Sequence, residues 1–241
     1  MSRKSRHAEV QCAYCGKMVV CTKEHVIPRS FYPEDSSRPS NPVIVPACSP
    51  CNNRKARDDS YVRDLFAADL AASVSPKALS VLNGQVFRSI RKNWSHFGRL
   101  AASSTMSVPL NTPSGLYLGN YPAVQVDWKR VRRFFRCVVR GLYWQAYRDR
   151  LPDNYLFDVK RVKPDAALQQ IKEFVSMKAH GPFSIGEGVF AGSFGVCQED
   201  PFTTLWLFWF YDSIFISVST GPGSFFEQFG AMGETASSLS G

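Results

Sequence analysis

The chain has 241 residues, of which 44% are hydrophobic and 20% charged, with a formal net charge of +9 and seven cysteines. That balance supports a folded core and excludes a chain that is disordered throughout. The positive surplus favours polyanionic partners, and the basic, polar start "MSRKSRHAEVQ" predicts no secretory leader, hence a cytoplasmic setting with reduced thiols.

Residues 1–60 hold five of the seven cysteines and many turn formers, without a long helical pattern. A segment with so little core of its own needs a staple, and a metal is the usual one. From Ser60 onward, "SYVRDLFAADLAASVS" sets Tyr61, Leu65, Phe66 and Leu70 at helical spacing, with Ser60 as N-cap. Pro76 is expected to open a second helix through "PKALSVLNGQVFRSIRKNW", with Leu79, Leu82, Val86, Phe87 and Ile90 on one face. The stretch "LAASSTMSVPLNTPSG" is small, polar and proline-bearing, and reads as a linker.

Beyond the linker, "DWKRVRRFFRCVVRGLYWQAYRDR" predicts a long helix ended by Leu151-Pro152. "NYLFDVKRV" predicts a strand, and "PDAALQQIKEFVSMKA" a helix with Pro164 in its first turn. "GVFAGSFGVC", "TTLWLFWFY" and "SIFISVST" predict an antiparallel sheet. The apolar run "LWLFWFYDSIFISV" is interrupted by Asp212-Ser213 and is read as two strands on a tight turn, not as a membrane helix. The end, "GETASSLSG", is expected to fray, and no internal repeat is present. The expected fold class is α+β: an N-terminal module over 1–60, a helical connector over 61–105 and a C-terminal α+β domain over 106–241.

Chemistry concentrates near the N-terminus. Cys12-Ala13-Tyr14-Cys15-Gly16 is one knuckle and Cys48-Ser49-Pro50-Cys51 its partner. A two-residue spacer lets both sulfurs of a pair reach one ion, and four thiolates in tetrahedral array suit structural zinc. Cys21 lies off the spacing; Cys137 and Cys197 fall in apolar patterns; all three are expected in the core. Between the knuckles stands "TKEHVIPRS", where Glu24 and His25 precede the strand-ending Pro28. Four cysteines already complete a zinc site, so this pair, with Asn52 beside the second knuckle, forms a separate constellation.

In order, "CAYCG", "TKEHVIPRS" and "VPACSPCNNRK" resemble the HNH endonuclease family, the ββα-metal nucleases, in the subgroup braced by a four-cysteine zinc. The resemblance covers about the first quarter of the chain. It implies a zinc-braced ββα module that cleaves DNA, with His25 as general base and Glu24 and Asn52 holding a catalytic Mg²⁺ or Mn²⁺. It also implies Asn41 as the middle asparagine, which orients the histidine loop. Two departures stand out: a glutamate where aspartate is frequent, and six residues between Asn41 and Cys48. Asn53 is a fallback for Asn52.

Arg29, Arg54, Lys55 and Arg57 flank the site and are candidates for phosphate contact, Lys55 first among them; the bland reading of each is a solvated basic surface. The long helix carries Lys129, Arg130, Arg132, Arg133, Arg136 and Arg140 and could offer arginines to a DNA backbone, or only a solvated polar face. His7, His96 and His180 stand alone and receive no role. The expected partner is DNA, with a protein partner or a homodimer through the C-terminal domain left open. The competing reading is a non-catalytic zinc-knuckle module binding nucleic acid or protein, and Glu24, His25 and Asn52 together speak against it.

Overall fold

In the computed structural model of the protein, the residues described are 8–34, 39, 41–92, 105–112, 114–163, 165, 168–169, 171–172 and 179–227. An N-terminal antiparallel sheet runs β1 (Glu9–Gln11), β2 (Met18–His25), β3 (Ile44–Cys48), with β2 and β3 in register from Cys21↔Cys48 to His25↔Ile44. The first knuckle forms the turn between β1 and β2. Its Gly16 has φ +74°, a left-handed backbone that favours glycine.

Helix α1 (Ser49–Ala67) starts directly after β3, with Pro50 in its first turn, where the missing N–H breaks no bond. Ser60 therefore lies inside the helix and does not cap it, and a boundary at residue 60 would cut through it. The reason lies in the buried face of α1. Lys55, Asp58, Asp59 and Arg63 are buried there beside Val62, Phe66 and Ala67. Apolar periodicity cannot reveal a face that is half ionic.

The next helical stretch begins where Pro76 predicted it. It comprises α2 (Pro76–Val81), one π turn (Leu82–Val86) and α3 (Phe87–Lys92), with the Ser75 side chain accepting from Ala78 N at 3.4 Å. The extra residue of the π turn rotates the faces. Val86 is buried, but Leu79 and Phe87 are exposed, which corrects the single apolar face expected there.

Part of the expected linker is instead a hairpin strand, β4 (Thr105–Asn111), paired with β5 (Tyr117–Val124). Pro109 and Pro122 are tolerated because both strands of a two-stranded sheet are edges. Helix α4 (Trp128–Tyr147) is capped by the Asp127 side chain and ends at Arg148, whose φ is 54°.

The C-terminal sheet is antiparallel, in the order β6 (Leu156–Val162), β10 (Ile214–Gly221), β9 (Thr204–Phe210), β8 (Phe190–Val196), β7 (Ala179–Ile185). Tyr211 and Asp212, with φ of 52° and 57°, make the left-handed turn that suits the twist of a β9–β10 hairpin. The helix expected over 164–179 and the tail "GETASSLSG" lie largely or wholly outside the described residues, as do His7 and His96. Among the described residues no helix is long and apolar enough to cross a membrane.

One hydrophobic cluster joins the two ends of the chain. It includes Val26, Phe31 and Val45, then Val62 and Phe66 of α1, Phe134, Phe135 and Val138 of α4, and Phe190, Phe208 and Phe210 of the sheet. Phe31 stacks at 5.5 Å on Phe134 and lies 5.6 Å from Phe210. The segment carrying the cysteines thus shares its core with the rest of the molecule.

Gly141 in the middle of α4 permits this approach. A Cβ there would fall 2.5 Å from Cγ2 of the buried Val26, the neighbour of His25. Gly141→Ala is expected to destabilise by about 1–2 kcal/mol, overpacking outweighing the ~1 kcal/mol that alanine gains in a helix. Urea denaturation checks this; a variant as stable as the parent would show that α4 shifts freely at this point.

Candidate metal centre and strand-end site

The four knuckle cysteines converge, their sulfurs all within 4.8 Å of one another. Cys15 Sγ and Cys48 Sγ are 3.7 Å apart, close to the ~3.8 Å edge of a tetrahedron with zinc–sulfur bonds of about 2.3 Å. Cys51 joins them from the first turn of α1, so the second knuckle is a strand end running into a helix. Backbone support is present as well: Cys48 N donates to Cys12 Sγ at 3.4 Å. Burial pushes the Cys12 thiol up, but N–H groups of Cys48, Cys15 and Tyr14 outweigh it and bring it to about 7. Burial raises Cys48 and Cys51. The donor set therefore fits a structural zinc ion, whose charge would hold all four as thiolates.

The knuckles are anchored to α4. Arg140 Nη1 donates to Tyr14 O at 2.7 Å, and its Nη2 meets Asp153 Oδ1 at 2.9 Å. Cys21 is half-buried, its thiol donating to Val10 O at 3.7 Å, and Cys137 packs against the core. Cys197 is not a core thiol as expected: it lies past the end of β8 and donates to Glu199 Oε2 at 2.8 Å.

The second constellation forms where β2 meets α1. Residues two apart on a strand share a face, so Thr22 and Glu24 both look toward the helix. Asn52 Nδ2 donates to Thr22 Oγ1 at 3.1 Å, and Lys55 Nζ donates to Glu24 Oε1 at 3.0 Å. His25 ends the strand. Its carbonyl accepts from Lys55 Nζ at 3.1 Å and its Nε2 accepts from Arg29 Nε at 3.1 Å, which places the ring's lone pair on Nε2.

Lys55 does not occupy the place expected of it. Its side chain is fully enclosed, and its third donor meets Asp59 Oδ2 at 2.9 Å. All three N–H bonds are thereby used, so the ammonium neutralises carboxylates and has no donor left for a phosphate. Burial pushes the Asp59 carboxyl up to about 7, with Lys55 pulling it back. Asn41, in the loop after His25, donates from Nδ2 to Ser184 O at 2.7 Å, on β7. The loop after His25 is held to that part of the molecule by two more bonds, Tyr32 Oη to Ile185 O at 2.9 Å and Tyr211 Oη to Phe31 O at 3.0 Å.

Arg54 and Arg57 are exposed on α1 and line a cavity of about 500 Å³ with Asp58 and with Arg130 and Arg133 of α4. Asp58 accepts from Arg130 Nε at 3.1 Å and from Arg133 Nε and Nη2 at 2.8 Å each. Thr22 takes no role within "TKEHVIPRS" from the sequence, and Asp58 and Asp59 carry no motif; only the fold shows their partners.

Comparison with family models, with curated proteins and with solved structures finds no match to this chain.

Proposed function

We propose that the protein is a metal-dependent endonuclease of the HNH type, hydrolysing DNA phosphodiester bonds. One observation carries the reading: the Glu24 carboxylate and the Asn52 amide come to one face where β2 meets the start of α1, with His25 next in sequence. The donors fit a hard divalent ion. Asn52 spends its N–H on Thr22, leaving the amide oxygen, and Lys55 takes one of the two Glu24 oxygens. Oxygen ligands of this kind suit Mg²⁺ or Mn²⁺. Such an ion would stabilise charge on the phosphate and the leaving oxygen.

The protein's own groups supply the rest. His25 is the general base, the role an imidazole most often takes in hydrolysis. Arg29 now donates to His25 Nε2. A phosphate offers that guanidinium a charge-assisted acceptor, and the exchange frees Nε2 to take a proton from water. Lys55 steadies Glu24 and the His25 carbonyl from below, a positioning role.

His25→Ala is expected to reduce Mg²⁺-dependent nicking of supercoiled plasmid by about 10²–10⁴-fold, with zinc content and folding unchanged. Undiminished cleavage by that variant would refute the reading. The second reading, a non-catalytic zinc-braced module, draws on the same Lys55, which balances Glu24 without any divalent ion. No cleavage by the parent protein across supercoiled, linear and single-stranded DNA would favour it.

A further inference from the structure

The cavity between α1 and α4 is a different place from the strand-end site. At about 100° per residue, Arg54 and Arg57 lie roughly half a turn around α1 from Asn52 and Lys55. Four guanidiniums line it against one carboxylate, Asp58. The side chain of Asp58 is 5% exposed and its oxygens are taken by Arg130 and Arg133, so it orders those two arginines from beneath. Arg130 is fixed a second way, its guanidinium 4.3 Å over the Tyr61 ring. Tyr61 Oη in turn accepts from Asp127 N at 2.8 Å. Arg54 and Arg57 form no ion pair among the described residues. Like charges gathered around one opening, two of them pre-ordered and two uncompensated, are costly unless an anion enters.

We propose that this cavity seats phosphate groups of a nucleic-acid backbone, as a second contact on the face of α1 turned away from Glu24. Guanidiniums in forked geometry are the side chains that match phosphate oxygens. Among the described residues no aromatic or amide side chain lines the cavity, only guanidiniums around one carboxylate, a lining suited first to phosphate oxygens, the contacts that position a nucleic acid. Four guanidiniums around one opening can meet more than one phosphate, which favours a strand backbone over a ligand with a single phosphate. The choice of a nucleic acid as occupant rests on the nuclease reading.

The test is binding of a labelled duplex to the full-length, zinc-loaded protein without Mg²⁺, by anisotropy across a salt series. Arg54→Ala/Arg57→Ala is expected to weaken binding about tenfold and to flatten the log–log salt slope by about two, one for each phosphate no longer neutralised. Arg54→Lys/Arg57→Lys should restore most of the slope. Arg91→Ala/Lys92→Ala, which removes the same charge from exposed positions on α3, should change the affinity less than twofold. No binding by the parent protein, an unchanged slope in the first variant, or an equal loss in the α3 variant overturns the proposal. So does displacement of nothing by duplex when tripolyphosphate binds the cavity, which would assign it to a small ligand. Because chemistry is not read, a parent that binds through these arginines but cleaves nothing would leave this site standing and remove the nuclease reading alone.

Discussion

Lys55→Met should cost the folded protein about 3–5 kcal/mol, as expected when one member of a buried ionic cluster is removed. Lys55 sits at the junction of β2 and α1 with its side chain fully enclosed, giving its three N–H bonds to Glu24, Asp59 and the His25 carbonyl. Methionine fills much the same volume, so a cavity is not the cause. What disappears is the cation between two carboxylates and a carbonyl. Asp59 is the worst placed of them, since its Oδ1 has no hydrogen-bond partner among the described residues. The triple variant Glu24→Gln/Lys55→Met/Asp59→Leu should be much less destabilised, because apolar or neutral replacement of a whole buried cluster removes the desolvation cost together with the attraction. Urea denaturation of both variants decides the matter. Equal losses would mean that packing, not charge, makes Lys55 important.

The same residue shows what a sequence can disclose. The cysteine pairs were legible because a two-residue spacer has few uses, and the four sulfurs do converge. The C-terminal hairpin was legible because an aromatic-rich apolar run is interrupted at Asp212-Ser213. The first half of helix α1 was not, since Lys55, Asp58 and Asp59 occupy its buried positions and give no apolar periodicity. The β4–β5 hairpin was hidden by its prolines, which are compatible with edge strands but look like linker. Lys55 and Arg57 are two residues apart, yet one is sealed against Glu24 and the other faces an open cavity. Only the placement of the helix, with α4 on one side and β2 on the other, separates those roles. Asn41 illustrates the same limit over distance: its partner, Ser184, is on a strand from the other end of the chain.

Loss of the zinc site should have the largest effect of all. Cys51→Ser is expected to lower tightly bound zinc from about one ion per chain to none, and to abolish cooperative unfolding of the N-terminal sheet. Structural zinc contributes about 10–16 kcal/mol in small zinc-folded peptides, as much as or more than the ~5–15 kcal/mol total stability of an ordinary domain. The damage should not stay local. Tyr14 O holds Arg140 of α4 at 2.7 Å, and Cys12, Ala13 and Tyr14 belong to the same buried cluster as Phe31, Phe134 and Phe210. A knuckle without its ion presents buried thiols to one another and to that core, so α4 loses an anchor at Arg140. Metal analysis with thermal melting followed by circular dichroism checks both halves of the expectation. A Cys51→Ser protein that carries no zinc yet melts at the parent temperature would show that the shared aromatic core, rather than the metal, holds the N-terminal sheet in place.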